Sequence, residues 1–209
     1  MAGDLTVRNI KVTDRIEPGS AGGTVTLGNS INADTIAVPS GVTLNINSGA
    51  TFSATAGTMS GQNYPAFEAY LSSAQSISDA VDTKVQCDTE VFDTDNCYDN
   101  ATNYRFTPTV AGKYLVYVSL TGKSGGDTQL TALQPAIYKN GSEYNDNVTQ
   151  FYVNYIKQHT MFMSRIIDMN GTTDYVEFYG YVNVSTGTPT FSVDGNKSNF
   201  FGAYRIIGA

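Results

Sequence analysis

The chain has 209 residues and a formal net charge of −7, and only 15% of its residues are charged, well below the quarter or so of an ordinary globular domain. Twelve Lys+Arg against nineteen Asp+Glu exclude nucleic acid as the main partner, because phosphate contacts need clustered basic side chains. One His and two Cys are too few for a His/Cys zinc site, while 41% hydrophobic and 11% aromatic residues supply a packed core and set the chain apart from disordered tails.

The opening stretch, Met1 to Asn9, carries no apolar run of signal-peptide length. No segment approaches the roughly 18 apolar residues of a membrane span. The expectation is synthesis in a cytoplasm, no membrane insertion, and release by some route other than secretion. Within residues 1–17, charges of alternating sign stand among short apolar pairs, Leu5 with Val7 and then Ile10 with Val12, followed by Ile16. The alternation slips at Arg8-Asn9, which reads as two short strands or one bulged strand. Such a segment is too short to fold alone and gains order by adding strands to a partner or packing three copies in a socket. Leu5, Val7, Ile10, Val12 and Ile16 are therefore the expected anchor residues.

Residues 18–63 form a second zone in which Asp34 is the sole charge. Pro39-Ser40-Gly41, Asn47-Ser48-Gly49 and Thr55-Ala56-Gly57 are turn signals, and Val42–Ile46 and Ala50–Ala54 between them alternate like strands. Repeats this small bury a face only by stacking on neighbours or on other chains. Three copies winding into a β-stalk satisfy that need, and a flexible Gly/Ser linker is the competing reading.

Residues 64–209 read as an independent all-β domain. Strands are expected at 104–107, 113–120, 133–139, 150–156, 159–167, 174–184, 189–193 and 199–207, with turns at Asn140-Gly141, Asn170-Gly171 and Asp194-Gly195. In the strand at 174–184, Val176, Phe178, Val182 and Val184 point one way, and Tyr175, Glu177, Tyr179 and Tyr181 the other. Only 67–82 offers a helical alternative. Many short strands with regular turns mean a sandwich or jelly roll. Cys87 and Cys97 can pair across a short loop, though a cytoplasmic origin favours free thiols.

Catalysis finds little support. His159 stands between Gln158 and Thr160 in an expected strand, with no Ser or Cys motif beside it. A glycan hydrolase needs two carboxylates held a fixed distance apart, and the repeat zone offers Asp34 alone. The dense carboxylates are Asp88, Glu90, Asp93, Asp95 and Asp99. They lack the Gly and spacing of an EF-hand loop. Calcium at Asp93, Asp95 and Asp99 competes with a solvated loop that keeps a sheet edge from pairing. No enzymatic activity and no cofactor are expected.

Several motifs resemble those of C1q/TNF-like jelly rolls. Phe67-Glu68-Ala69-Tyr70-Leu71 is similar to the family's opening strand. Tyr98-Asp99, Thr102, Phe106-Thr107-Pro108 and Ala111-Gly112-Lys113-Tyr114 resemble its most recognisable stretch. Ile137–Gly141 is similar to its Asn-Gly hairpin, Asp174-Tyr175-Val176 falls where the family has Gly-Asp-x-Val, and Phe200-Phe201-Gly202-Ala203-Tyr204 resembles the closing strand. The resemblance implies a homotrimer, with Phe106, Tyr114, Phe178, Phe200 and Tyr204 as interface candidates; core packing within one chain demands the same residue types. A charge-poor repeat preceding such a head, with no collagen-like run, resembles the fibre and decoration proteins of tailed bacteriophages, especially those of cyanobacterial and marine hosts.

The reading that follows is a structural phage virion protein, a homotrimeric short tail fibre or spike. Its N-terminal segment would join other virion proteins, and its head would bind a host surface glycan or protein. Tyr138, Tyr144, Tyr152 and Tyr155 are the receptor candidates, since tyrosine offers a flat apolar face and a hydroxyl at low entropy cost. Capsid decoration is the alternative within this class, and a secreted C1q-like adhesin the alternative outside it.

Overall fold

A computed structural model describes residues 65–152, 155–193 and 197–206. The expected anchor (1–17), with Leu5, Val7, Ile10, Val12 and Ile16, lies outside the described residues, as do the expected stalk (18–63) and the Asp194-Gly195 turn. Among the described residues the regular structure is strand alone. The order is β1 (Ala66–Tyr70), β2 (Gln75–Ser76), β3 (Thr83–Lys84), β4 (Thr89–Asp93), β5 (Tyr98–Asp99), β6 (Arg105–Phe106) and β7 (Gly112–Lys123). There follow β8 (Leu130–Lys139), β9 (Ser142–Asp146), β10 (Thr149–Gln150), β11 (Gln158–Met169), β12 (Val176–Val184), β13 (Thr190–Phe191) and β14 (Phe200–Arg205).

The strands form two antiparallel sheets. In the first, β7 pairs with β11 on one side and with β14 and β13 on the other; β14 leads on to β1 and β4, and β13 to β2. In the second, β8 pairs with β9 and β10 on one side and with β12 on the other, and β12 leads on to β3, β6 and β5. The chain crosses from sheet to sheet at β2–β3, β3–β4, β4–β5, β6–β7, β7–β8, β10–β11, β11–β12 and β12–β13. Repeated crossing of two facing antiparallel sheets is jelly-roll topology, so the all-β jelly roll expected from the sequence is the architecture found.

Period-two alternation positions the core. In β7, Tyr114, Val116, Val118 and Leu120 point inward and are fully buried; in β12, Val176, Phe178 and Val182 do the same. Between the sheets Phe67 stacks on Tyr98 at 4.5 Å and on Phe106 at 4.6 Å, and Phe201 meets Phe67 edge-on at 4.8 Å. Offset and edge-on pairs place ring edges against ring faces, adding about 0.5–1.5 kcal/mol each beyond area burial. The Tyr98 hydroxyl donates to the Cys87 carbonyl at 2.9 Å, and that of Tyr114 donates to the Val110 carbonyl at 2.7 Å. Each buried ring thus keeps a partner for its polar end.

This packing corrects part of the expected interface. Phe106, Tyr114 and Phe178 are core residues with no exposed area to offer a partner, because the facing sheet already covers them. Phe200 and Tyr204 occupy the other phase of β14 and point away from the core, with Tyr204 38% exposed. The helical alternative at 67–82 also fails. Its first part is β1, held between β14 and β4 with Phe67 and Ala69 turned inward. Of the expected strand at 150–156, the described residues show Gln150 in β10 and an isolated bridge from Ile156 to Leu130. Cys87 and Cys97 are buried free thiols, and burial pushes the Cys87 thiol well above its usual range.

The Asn140-Gly141 turn is as expected. Both residues have positive φ, 54° and 78°, which is the type I′ geometry that matches strand twist and needs residues tolerant of the left-handed region.

Phe67 touches rings from both sheets, so its loss leaves a cavity that neither sheet can close. Phe67→Ala is expected to destabilise the domain by about 3–5 kcal/mol, read from urea unfolding. A loss below about 1 kcal/mol would show that the cluster repacks. With no disulfide present, dithiothreitol should leave the melting temperature unchanged, whereas a drop would reveal a Cys87–Cys97 pair.

Candidate functional site

The two sheets present unlike outer faces. On the first sheet the outward residues of β11, β7, β14 and β1 fall in register as cross-strand rows. One row holds Phe162, Ser119, Phe200 and Tyr70; the next Ser164, Tyr117, Gly202 and Glu68; the next Ile166, Leu115, Tyr204 and Ala66. Phe162 is 58% exposed and Ile166 56%. Phe162 and Tyr117 both approach Phe200, with centroids at 6.3 and 6.2 Å. The Tyr117 ring lies over Gly202, where an added Cβ would come within 2.3 Å of it. Glycine is required there for the ring to lie flat. The Tyr117 hydroxyl donates to Glu68 Oε2 at 2.9 Å; burial, and after it this bond, raises its pKa above the usual range.

On the second sheet the outer face is polar and aromatic. Tyr138 of β8 stacks on Tyr179 of β12 at 4.0 Å. Lys84 pairs with the buried Glu177 at 2.5 Å and lies 5.7 Å from the centre of the Tyr179 ring. Further along the same face a groove of about 310 Å³ opens over β8, β10 and β12. Gln134, Gln150, Phe151, Tyr152, Tyr155, Tyr181 and Asn183 are among its lining residues.

Of the receptor candidates read from the sequence, Tyr152 and Tyr155 line this groove, 81% and 40% exposed. Tyr138 does not, its ring being stacked on Tyr179. Tyr144, 50% exposed on β9, stands outside the lining as well. Sequence reasoning missed Gln134, Gln150 and Asn183. Their one available signal was the phase of β8 and β12, which places Gln134 opposite Tyr181.

The acidic run is not a bare loop. Thr89–Asp93 is β4, paired to β1, and the remaining carboxylates hold turns. Asp93 Oδ2 accepts the Tyr98 N–H at 2.8 Å, and Asp95 Oδ2 accepts the Thr109 hydroxyl. Asp99 accepts N–H groups of Thr102, Ala101 and Asn103 at 2.9 to 3.1 Å, and the Asn103 side-chain amide at 2.6 Å. Among the described residues, no three His, Cys, Asp or Glu side chains are grouped to hold a metal ion. The carboxylates of the calcium expectation are engaged within the chain: Asp93 and Asp99 take backbone N–H donors and Asp95 takes the Thr109 hydroxyl, so all three cap turns. A second depression, beside Asn96–Asn100 and Arg105, is lined by these same internally bonded groups. His159 lies half-buried in β11, edge-on to Phe151 at 5.3 Å.

No protein-family model matches the chain, and no curated protein matches it in sequence. Solved structures similar to it include murine APRIL, at 11% identity and a TM-score of 0.49, over 68% of this chain and 98% of that one. Eiger TNF from S. frugiperda is similar at 12% identity and a TM-score of 0.45, over 69% and 92%. The globular domain of the zebrafish complement 1qA protein is similar at 11% and 0.46, over 68% and 97%.

Hydrogen bonds from the backbone N–H of Thr102, and then of Ala101 and Asn103, hold the Asp99 carboxyl at about 2, against its usual 3.8. A depressed folded value contributes stability that is complete above the unfolded value and lost as pH falls through the folded one. Asp99→Ala should therefore lower the melting temperature near neutral pH, and the gap to wild type should narrow as pH falls from about 4 to about 2. Melting curves across that range check this. A gap independent of pH would mean that the carboxylate charge is not the cause.

Proposed function

We propose that the chain is a non-enzymatic attachment protein whose head works as a homotrimer, carried on a tailed-phage particle as a short fibre or spike. The observation that carries this reading is the outer face of the first sheet, where Phe162, Ile166, Tyr204, Leu115 and Phe200 lie side by side. A monomer that leaves such a patch in water forgoes about 1.5–3 kcal/mol for each large apolar side chain that a partner would bury. Two further copies of the same chain would cover it. The sequence resemblance to C1q/TNF-like heads supports three-fold association, and so does a repeat zone too small to bury its own apolar face. The patch also has an interface's anatomy, an aromatic and aliphatic centre with charged groups at its margins. Lys113 and Asp168, ion-paired at 2.6 Å, lie one row beyond Ile166 and Leu115.

The phage assignment is supported by the order of the zones in the sequence: a charged, strand-forming start, a charge-poor repeat, then the head. In this reading residues 1–17 attach the protein to the particle, and the head faces outward to a host surface. Three attached copies would hold far more firmly than one.

Phe162 and Ile166 are exposed in the single chain, so replacing them leaves the core intact. The double variant Phe162→Asp, Ile166→Asp is expected to give a light-scattering mass of one chain where wild type gives three. A wild-type mass of one chain at micromolar concentration would sink the trimer. Deleting residues 2–17 should leave a soluble trimer that no longer enters particles. Normal incorporation of the truncated protein would move attachment to the repeat or the head, and favour capsid decoration.

A further inference from the structure

We infer that the groove on the outer face of the second sheet is a binding site for a neutral oligosaccharide. This deepens the attachment reading and rests on it. The groove's volume, about 310 Å³, falls at the small end of the roughly 300–1,000 Å³ typical of ligand sites, enough for a sugar ring or two. Its chemistry is selective. Among the described residues that line it, none carries a charged side chain, although the chain as a whole carries a net charge of −7. An ionic ligand would lose its hydration there and find no opposite charge in return. An uncharged ligand bearing hydroxyls meets amides and phenols instead.

The polar groups are already oriented. The Thr131 hydroxyl donates to Asn183 Oδ1 at 2.7 Å, and Asn183 Nδ2 donates to the Tyr181 hydroxyl oxygen at 3.1 Å. Because Tyr181 accepts that bond, its own O–H is the donor it turns to a ligand. Gln150 and Tyr152 bring their side-chain amide and hydroxyl together at the rim. Gln134 adds one more amide from β8. Groups fixed by such bonds lose little entropy when a ligand arrives.

The aromatic groups supply the other half of sugar recognition, since the C–H face of a pyranose is apolar and packs on a flat ring. Tyr152, 81% exposed at the rim, and Tyr155, 40% exposed, have ring surface that packing within the protein leaves in water. A protein partner would ask for a wider apolar patch than this narrow, mainly polar concavity provides. Each single groove would bind weakly, and a trimer would present three of them, which is how weak sugar contacts become firm attachment.

The test uses the full-length protein on an array of neutral oligosaccharides (maltotriose, lactose, mannotriose) beside sialylated and sulfated ones. Wild type should bind a neutral member. Tyr152→Ala and Tyr155→Ala should each lower that signal tenfold or more, with melting temperature and light-scattering mass unchanged. Tyr144→Ala, an exposed tyrosine outside the groove, should leave it unaltered. Absence of any neutral signal, binding confined to the anionic sugars, or full binding by both groove variants would overturn the site. Adsorption of the labelled protein to marine bacterial cells separates the two levels. Cells bound equally by wild type and by the groove variants would end the sugar inference and leave the attachment reading standing, whereas no binding of wild type to any cell tested would count against both.

Discussion

The inter-sheet aromatic cluster is the interaction on which the rest of the head depends. Phe67 comes from the first described strand and Phe201 from the last, yet they meet at 4.8 Å with Tyr98 and Phe106 stacked on Phe67. Neighbouring strands β1 and β14 carry Phe67 and Phe201 on one sheet, while β5 and β6 bring Tyr98 and Phe106 from the other. Fixing these rings fixes the phase of all four strands, because a one-residue slip would turn every ring into solvent. That phase decides what the outer faces present.

The outer faces divide the possible work between them. The first sheet turns outward a patch of Phe, Ile, Leu and Tyr with Gly202 leaving room for Tyr117, suited to burial against further copies of the chain. The second turns out tyrosines beside Gln and Asn, suited to a hydrated, uncharged ligand. Use of one face for assembly would leave the other free, since the sheets lie back to back. A trimer built on the apolar face would therefore point its grooves away from its axis.

Charges do a different job. Only 15% of the chain's residues are charged, and the domain places several of its own at strand ends. Asp99 caps the turn before β6. Asp174 accepts the Asn140 side-chain amide at 2.8 Å and pairs with Lys139 at 3.0 Å, so the β8–β9 hairpin is tied to the strand that enters β12. These bonds together lower the Asp174 pKa, the Asn140 bond first. Glu177 is buried and paired with Lys84, joining the small strand β3 to β12. Short strands such as β3 contribute few ladder bonds, and side-chain clamps of this kind compensate.

By itself the sequence determined the all-β class, most of the long strands, the turn at Asn140-Gly141 and the residues of β12 that share its inward face, because each follows from local period and turn chemistry. From residue type alone it offered Tyr138, Tyr144, Tyr152 and Tyr155 as receptor candidates, and only the structure separates the two that line the groove from the two that do not. What only the tertiary structure decided was which aromatic belongs to the core and which to the surface. Phe106, Tyr114 and Phe178 look no different in sequence from Phe162 and Phe200, since burial by a facing sheet and burial by a partner select the same side chains. The conformation of 67–82 was likewise undecided locally: Phe67 to Leu71 becomes a strand because β14 and β4 supply hydrogen bonds from distant parts of the chain. The groove belonged to the same class of unknowns. Gln134, Gln150 and Asn183 converge only through the register of β8 with β10 and β12, and register is a relation between strands that no single stretch of sequence contains.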